Sequence, residues 1–188
     1  PAGAGRVKFL PLELPGLVLI EPRLFGDERG FFMESWNRRT FADAGLDMDF
    51  VQDNHSRSAK GVLRGLHYQL QRPQGKLVRV TAGRAFDVAV DLRRSSPGFG
   101  RWHGVELSAV NRLMFWVPPG FAHGFLSLED GTEFQYKCTD FYDPSDEHSL
   151  LWNDPDLGID WPLDGIGVPS LSAKDEVGKP LAEARSFA

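Results

Sequence analysis

Cysteine is almost absent. Among 188 residues Cys138 stands alone, so no disulfide can close within one chain and the composition suits a reducing compartment. Long apolar runs are missing too: the longest, such as Leu113-Met114-Phe115-Trp116-Val117, fall far short of the ~20 residues a membrane-spanning helix needs. The N-terminal Pro1-Ala-Gly-Ala-Gly-Arg6 lacks the apolar stretch and cleavage pattern of a secretory signal, so a cytoplasmic protein with no membrane partner is expected. Positive charge is in deficit, with 21 Lys and Arg against 26 Asp and Glu for a formal net charge of −5, and the basic residues form no block. That balance argues against nucleic acid as a partner and leaves a small anionic ligand wherever a few arginines converge. No glycine-rich phosphate loop or dinucleotide fingerprint is present.

Turn formers and aromatics are plentiful, with 20 Gly, 13 Pro and 12% aromatic residues. Short β-rich runs recur at Leu17–Ile20, Gly30–Trp36, Val62–Gln69, Lys76–Thr81, Arg84–Leu92, Trp102–Leu107, Leu113–Val117, Gly120–Leu128 and Thr132–Thr139. Between them lie turn sequences such as Gly26-Asp27, Ala82-Gly83, Pro118-Pro119-Gly120 and Glu129-Asp130-Gly131. The pattern predicts an all-β sandwich or barrel, in a single domain spanning residues 1–188. A chain of this size removes roughly 70% of its extended surface from water on folding, enough for a core without staples. Two short peripheral helices are expected, one capped by Asn37 over Arg38–Ala44 and ended by Gly45, the other in the tail around Leu181–Arg185.

Residues two apart on a strand share a face. On that parity His123 points with Phe121 and Phe125, Tyr136 with Phe134 and Cys138, and Lys76 with Val78 and Val80. His67 falls on the parity of Leu63 and Gln69, while Gly65 permits a bend that brings Arg64 to the same cavity. Asp87 and Asp91 share the face opposite Phe86, Val88 and Val90. That face reads either as solvated or, for Asp87, as a carboxylate near His67. Any one inward histidine or tyrosine is ordinarily a hydrogen-bonded core residue. A lysine is different, because a buried ammonium is costly without a charge or strong acceptor. Together, two histidines, a tyrosine, a lysine and an arginine directed at one interior form a site.

The five histidines are dispersed, with no His-X-His pair and no ligand spacing to carboxylates, so no metal is expected. Cys138 alternates with aromatics as a small filler rather than a nucleophile. A histidine suits proton removal near neutral pH, a lysine stabilises a developing oxyanion, and a tyrosine returns a proton from another direction. That combination fits proton abstraction beside a ketone and reprotonation on the other face, which is epimerisation without a cofactor.

Long motifs carry a resemblance over about Leu17 to Asp175: Phe25-Gly-Asp-Glu-Arg-Gly-Phe-Phe-Met-Glu34, Phe50-Val-Gln-Asp-Asn-His-Ser56, Gly61-Val-Leu-Arg-Gly-Leu-His-Tyr-Gln69, Gln74-Gly-Lys76, Pro119-Gly-Phe-Ala-His-Gly-Phe125, Tyr136-Lys-Cys-Thr139 and Leu171-Ser-Ala-Lys-Asp175. The chain resembles the dTDP-4-dehydrorhamnose 3,5-epimerases, and the resemblance implies a cupin-type (jelly-roll) β-barrel acting on a dTDP-4-keto-6-deoxysugar in dTDP-L-rhamnose biosynthesis. It further implies His67 as base, Asp175 as its partner, Tyr136 as proton donor and Lys76 beside the C4 carbonyl. His123 matches a substrate contact, and Arg29 and Arg64 match arginines that bind the pyrophosphate. Phe32, Glu34, Gln52, Asp53, Asn54, Glu147 and Lys174 match sugar or nucleotide contacts. A homodimer that shares some of these residues between subunits is implied as well. Taken alone, Arg29 also reads as a turn arginine paired with Asp27, and Asp53-Asn54 as turn residues. Met33 and Phe141 stand where relatives often carry an aromatic and a tyrosine. The rival readings are an epimerase acting at C3 or C5 only, for another dTDP-deoxysugar, and a barrel that binds a nucleotide sugar without catalysis.

Overall fold

The computed structural model describes residues 5–188; the first four residues, part of the N-terminal reading above, lie outside them. Two antiparallel sheets carry the fold. The first runs in the order β1 (Lys8–Pro11), β2 (Val18–Glu21), β10 (Met114–Val117), β7 (Lys76–Ala82), β12 (Thr132–Cys138), β5 (Gln52–Ser58). The second runs β13 (Glu147–Ser149), β6 (Leu63–Gln69), β11 (Phe121–Ser127), β8 (Arg84–Asp91), β9 (Trp102–Ser108). A hairpin of β3 (Phe25–Asp27) and β4 (Gly30–Phe32) forms a separate small sheet.

Three apolar layers follow from strand alternation. Between the sheets lie Val78, Val80, Phe115, Val117, Phe121, Phe125 and Phe134. The outer face of the first sheet, with Val18, Ile20, Leu77, Met114 and Trp116, is covered by Phe41 of the helix α1 (Arg38–Asp43) and by flanking aromatics. The outer face of the second, with Leu63, Leu66, Val88, Val90 and Leu126, is covered by the C-terminal segment through Leu157, Trp161 and Ala184. Both faces of β10 are therefore buried, which is why Met114-Phe115-Trp116-Val117 is an unbroken apolar run rather than an alternating one.

The Asn37 side chain accepts from the Thr40 N–H and starts α1, and Gly45 follows its end at φ +83°, as expected. The tail helix does not form. Leu181–Arg185 makes one turn on the Pro180 carbonyl, because neighbouring backbone is committed elsewhere: the Leu181 N–H donates to Asp154 and the Phe187 N–H to the Leu92 carbonyl. A single helical turn, α2 (Ala173–Glu176), lies upstream instead. The predicted strand at Gly30–Trp36 stops at Phe32. β5 was not foreseen: Asp53 and Asn54 sit within a strand, not a turn.

Candidate active site

A cavity of about 450 Å³ opens between the sheets, within the range of small-ligand sites. The first sheet contributes Gln52, Asn54, Ser56, Lys76 and Tyr136, and the second His67, His123 and Glu147, so the two groups form opposing walls. The segment that covers the second sheet's outer face adds Lys174 and Asp175 from α2.

Parity places Lys76, Tyr136 and His123 inward as expected. On β6 it breaks. His67 pairs with His123 but Arg64 with Phe125, so three residues on β6 span two on β11, a bulge. Leu63 and Leu66 then face the outer cluster while Arg64 and His67 both line the cavity, and Leu63 does not share a face with His67. The bulge brings the backbones together at Gly65 and Gly124. A Cβ on Gly65 would meet Gly124 Cα at 2.6 Å, and one on Gly124 would meet the Arg64 carbonyl oxygen at 2.6 Å. Glycine at both positions is what lets a guanidinium and an imidazole enter one chamber from one strand.

Two histidines directly opposite across the β6–β11 ladder are each braced by a carboxylate. His67 Nε2 lies 2.5 Å from Asp175, which also receives the Gly65 N–H at 3.5 Å. Burial pushes the Asp175 carboxyl up, but the hydrogen bond and charge of His67 together with Gly65 more than offset it, leaving it below the usual range. An ionised Asp175 accepts the Nε2 proton and leaves the Nδ1 lone pair on the other edge of the ring. Glu147 Oε1 is 3.9 Å from that Nδ1.

His123 Nε2 lies 2.8 and 3.0 Å from the two oxygens of Asp87. Of the two readings of Asp87 the solvated face fails: it is fully buried, and its hydrogen-bond partner is His123. The Val88 and Val90 face packs under the C-terminal segment, so the Asp87 and Asp91 face is the barrel interior. Burial raises the Asp87 carboxyl, with His123 and Lys76 acting against that. Phe125 and Phe134 stack at 4.0 Å beneath this pair.

On the opposing wall, Lys76 is 8% exposed and meets no hydrogen-bond acceptor among the described residues. Burial pulls its ammonium below the ordinary lysine range, against the attraction of Cys138, Asp87 and Glu147. Burial likewise pushes the Tyr136 phenol up to about 12, with Cys138 adding to it, so the group is a held proton at neutral pH. Cys138 itself is pushed up to about 11 by burial, which keeps it a thiol. Arg64 donates to the Ser58 hydroxyl at 3.1 Å and pairs with no carboxylate among the described residues, so its charge is free for an anion. Among those residues no three His, Cys, Asp or Glu side chains gather as an ion site.

The arrangement is an imidazole and a protonated phenol on facing walls, with an ammonium on the phenol's wall. Residues 11–183 match the sequence family described as dTDP-4-dehydrorhamnose 3,5-epimerase. The chain belongs to that family. It is 58% identical over 182 residues to the dTDP-4-dehydrorhamnose 3,5-epimerase of Pseudomonas aeruginosa, covering 96% of this chain and 99% of the relative. It is similar to the crystal structure of dTDP-6-deoxy-D-glucose-3,5-epimerase from Legionella pneumophila in complex with dTDP-4-keto-L-rhamnose, at 51% identity, TM-score 0.92 and coverage of 96% and 95%. A 3′-monoepimerase from Streptomyces bikiniensis, in complex with dTDP-quinovose, shares 37% identity and a TM-score of 0.85, covering 92% of this chain and 87% of that one. The fold is accordingly cupin-type and the chain an epimerase.

Ten residues the sequence singled out for this epimerase meet at the cavity: Gln52, Asn54, Arg64, His67, Lys76, His123, Tyr136, Glu147, Lys174 and Asp175. Four do not. Arg29 sits in the β3–β4 turn, holding Asp27 through its backbone N–H and its guanidinium, the turn-arginine alternative. Phe32 is 66% exposed on the same hairpin, and Glu34 accepts from Asn37. Asp53 faces the other side of β5 and pairs with Lys137 at 2.9 Å. Sequence reasoning missed Ser56, whose buried hydroxyl lines the cavity without a partner among the described residues. It also missed Tyr142, which donates to Glu147 at 3.0 Å. The parity shared by Gln52, Asn54, Ser56 and Ser58 was the available signal for Ser56.

Proposed function

We propose that the chain converts dTDP-4-dehydro-6-deoxy-D-glucose to dTDP-4-dehydro-L-rhamnose by proton transfers alone. His67 Nδ1 takes the proton α to the ketone, and the electron pair passes to the C4 oxygen as an enolate. Lys76, only 8% exposed, holds that oxyanion away from bulk water, where such a contact is worth most. Tyr136 then protonates the carbon from the opposite face and inverts it. Arg64 and Lys174 meet the diphosphate, and His123, Gln52, Asn54 and Ser56 meet the sugar and nucleotide. The observation that carries this reading is the His67–Asp175 pair facing the Tyr136 phenol across one cavity that also holds an otherwise unpaired ammonium.

Incubation with the 4-keto sugar nucleotide in deuterated water tests it. The product should carry deuterium at both C3 and C5; no exchange at either carbon would refute it. Exchange at one carbon alone would establish the second reading, a monofunctional epimerase, which the 37% identity to a 3′-monoepimerase keeps in view.

The reading includes a cytoplasmic homodimer. Arg29, Phe32 and Glu34 lie away from the cavity of their own chain, and the hairpin exposes Phe25, Phe31 and Phe32 to solvent. Reaching into a second copy would bury those rings and add the arginine to its diphosphate site. Sedimentation at micromolar concentration should give twice the chain mass, and a single-chain mass would overturn this part.

A further inference from the structure

One imidazole that takes a proton from C5 and another from C3 must lose the first before it can accept the second. On the Nε2 side there is no exit: Asp175 is 2% exposed and held against β6 by the Gly65 N–H. On the Nδ1 side the nearest carboxylate among the described residues is Glu147, at 3.9 Å. That is too long for a direct hydrogen bond and within reach of one bridging water or one side-chain rotation. Glu147 itself is 16% exposed, but both groups that bond it open to solvent. Lys174, with a side chain 50% exposed, donates at 2.8 Å, and Tyr142, 48% exposed, donates at 3.0 Å. The carboxylate thus links His67, whose side chain is 22% exposed, to two solvent-facing groups.

We propose that Glu147 is the group through which His67 returns its abstracted proton to solvent between the two epimerisations. This rests on the function proposed above. The imidazolium Nδ1–H proton passes to the Glu147 carboxylate, leaving neutral imidazole and a carboxylic acid, and the acid gives its proton to water. The Tyr136 phenolate formed in the same half of the cycle takes one proton from water, so the count closes with no other reactant. Asp175 keeps Nε2 protonated throughout, and the lone pair reappears on the edge that faces the sugar.

The test uses Glu147→Gln, which keeps the shape and one acceptor oxygen but cannot take a proton, with ring-protiated 4-keto sugar nucleotide in deuterated water. In the unsubstituted protein, substrate recovered part-way carries deuterium, because the proton on His67 exchanges before it can return to carbon. In Glu147→Gln the deuterium in recovered substrate, per product formed, should fall roughly tenfold or more, with sugar exchanged at a single carbon accumulating. Added formate should restore both in Glu147→Ala, in proportion to its concentration. A merely structural role for Glu147 would slow exchange and product together, leave their ratio unchanged and give no rescue; that result overturns the relay. Lack of exchange in the unsubstituted protein instead overturns the function on which the relay rests.

Discussion

Replacing His67 by asparagine should lower product formation by roughly a thousandfold or more while nucleotide-sugar binding stays within a few-fold. The size follows from what the imidazole does, since a positioned general base contributes about 10²–10⁴ in rate, and the Glu147 carboxylate on the same wall is held by Lys174 and Tyr142. His123 is the other imidazole on that wall, but its Nε2 is tied to a buried Asp87 and it lies directly across the ladder, beside His67 rather than in its place. The variant should exchange no deuterium at C3 or C5, because exchange needs only the abstraction step. Binding survives because Arg64 and Lys174 are untouched. The melting temperature should fall by roughly 2–12 °C: asparagine leaves Asp175 short of one hydrogen-bond donor, a loss of about 1–3 kcal/mol, at roughly 2–4 °C per kcal/mol for a chain of this length. Mass spectrometry of recovered sugar checks the exchange, and full exchange at either carbon in this variant would remove His67 from the base's role.

The barrel was legible in the sequence where one strand face is apolar and the other is not. On β7, β11 and β12, alternating Val, Phe and small residues fixed the inward parity, and with it Lys76, His123 and Tyr136. β5 has no such contrast. Its inward row, Gln52, Asn54 and Ser56, lines the cavity and ends at the buried Ser58, while Asp53, His55 and Arg57 are exposed, so Gln-Asp-Asn-His-Ser-Arg-Ser offers no apolar period to read. The β6 bulge defeats parity in another way: one extra residue reverses every side chain beyond it, and only the glycines hinted at where. Asp87 was obscured because both faces of β8 are buried, one under the C-terminal segment and one inside the barrel, so a carboxylate on the interior face looked solvated. Asp175 could not be read from local pattern at all. It lies 108 residues from His67 and reaches it only because the C-terminal segment is bound back along the second sheet, at Val62–Ser170 and Leu150–Lys179. Family resemblance supplied that residue; geometry supplies the reason for it.

Tyr136→Phe separates the two halves of the chemistry and should show the second large effect. The base is intact, so His67 still removes the α-proton and the enolate still forms against Lys76. What is lost is the donor on the facing wall. Protons then return mainly from the His67 side, so substrate should gain deuterium with its configuration retained, while inverted product falls by roughly 10²–10⁴-fold. Raising the pH should not mimic the substitution, because the phenol, pushed up to about 12 by burial, stays protonated through pH 9. Any alkaline loss of rate below that point belongs to other groups and should appear equally in the unsubstituted protein and the variant. Deleting one hydroxyl from a cavity wall costs about 1 kcal/mol, so the fold should persist and thermal unfolding can confirm it. Proton spectra of the sugar ring in deuterated water read the outcome directly: exchange without inversion places Tyr136 as the acid. Loss of exchange together with inversion would put the phenol in the abstraction step, and near-normal inversion would mean that another donor, such as water in the cavity, protonates that face.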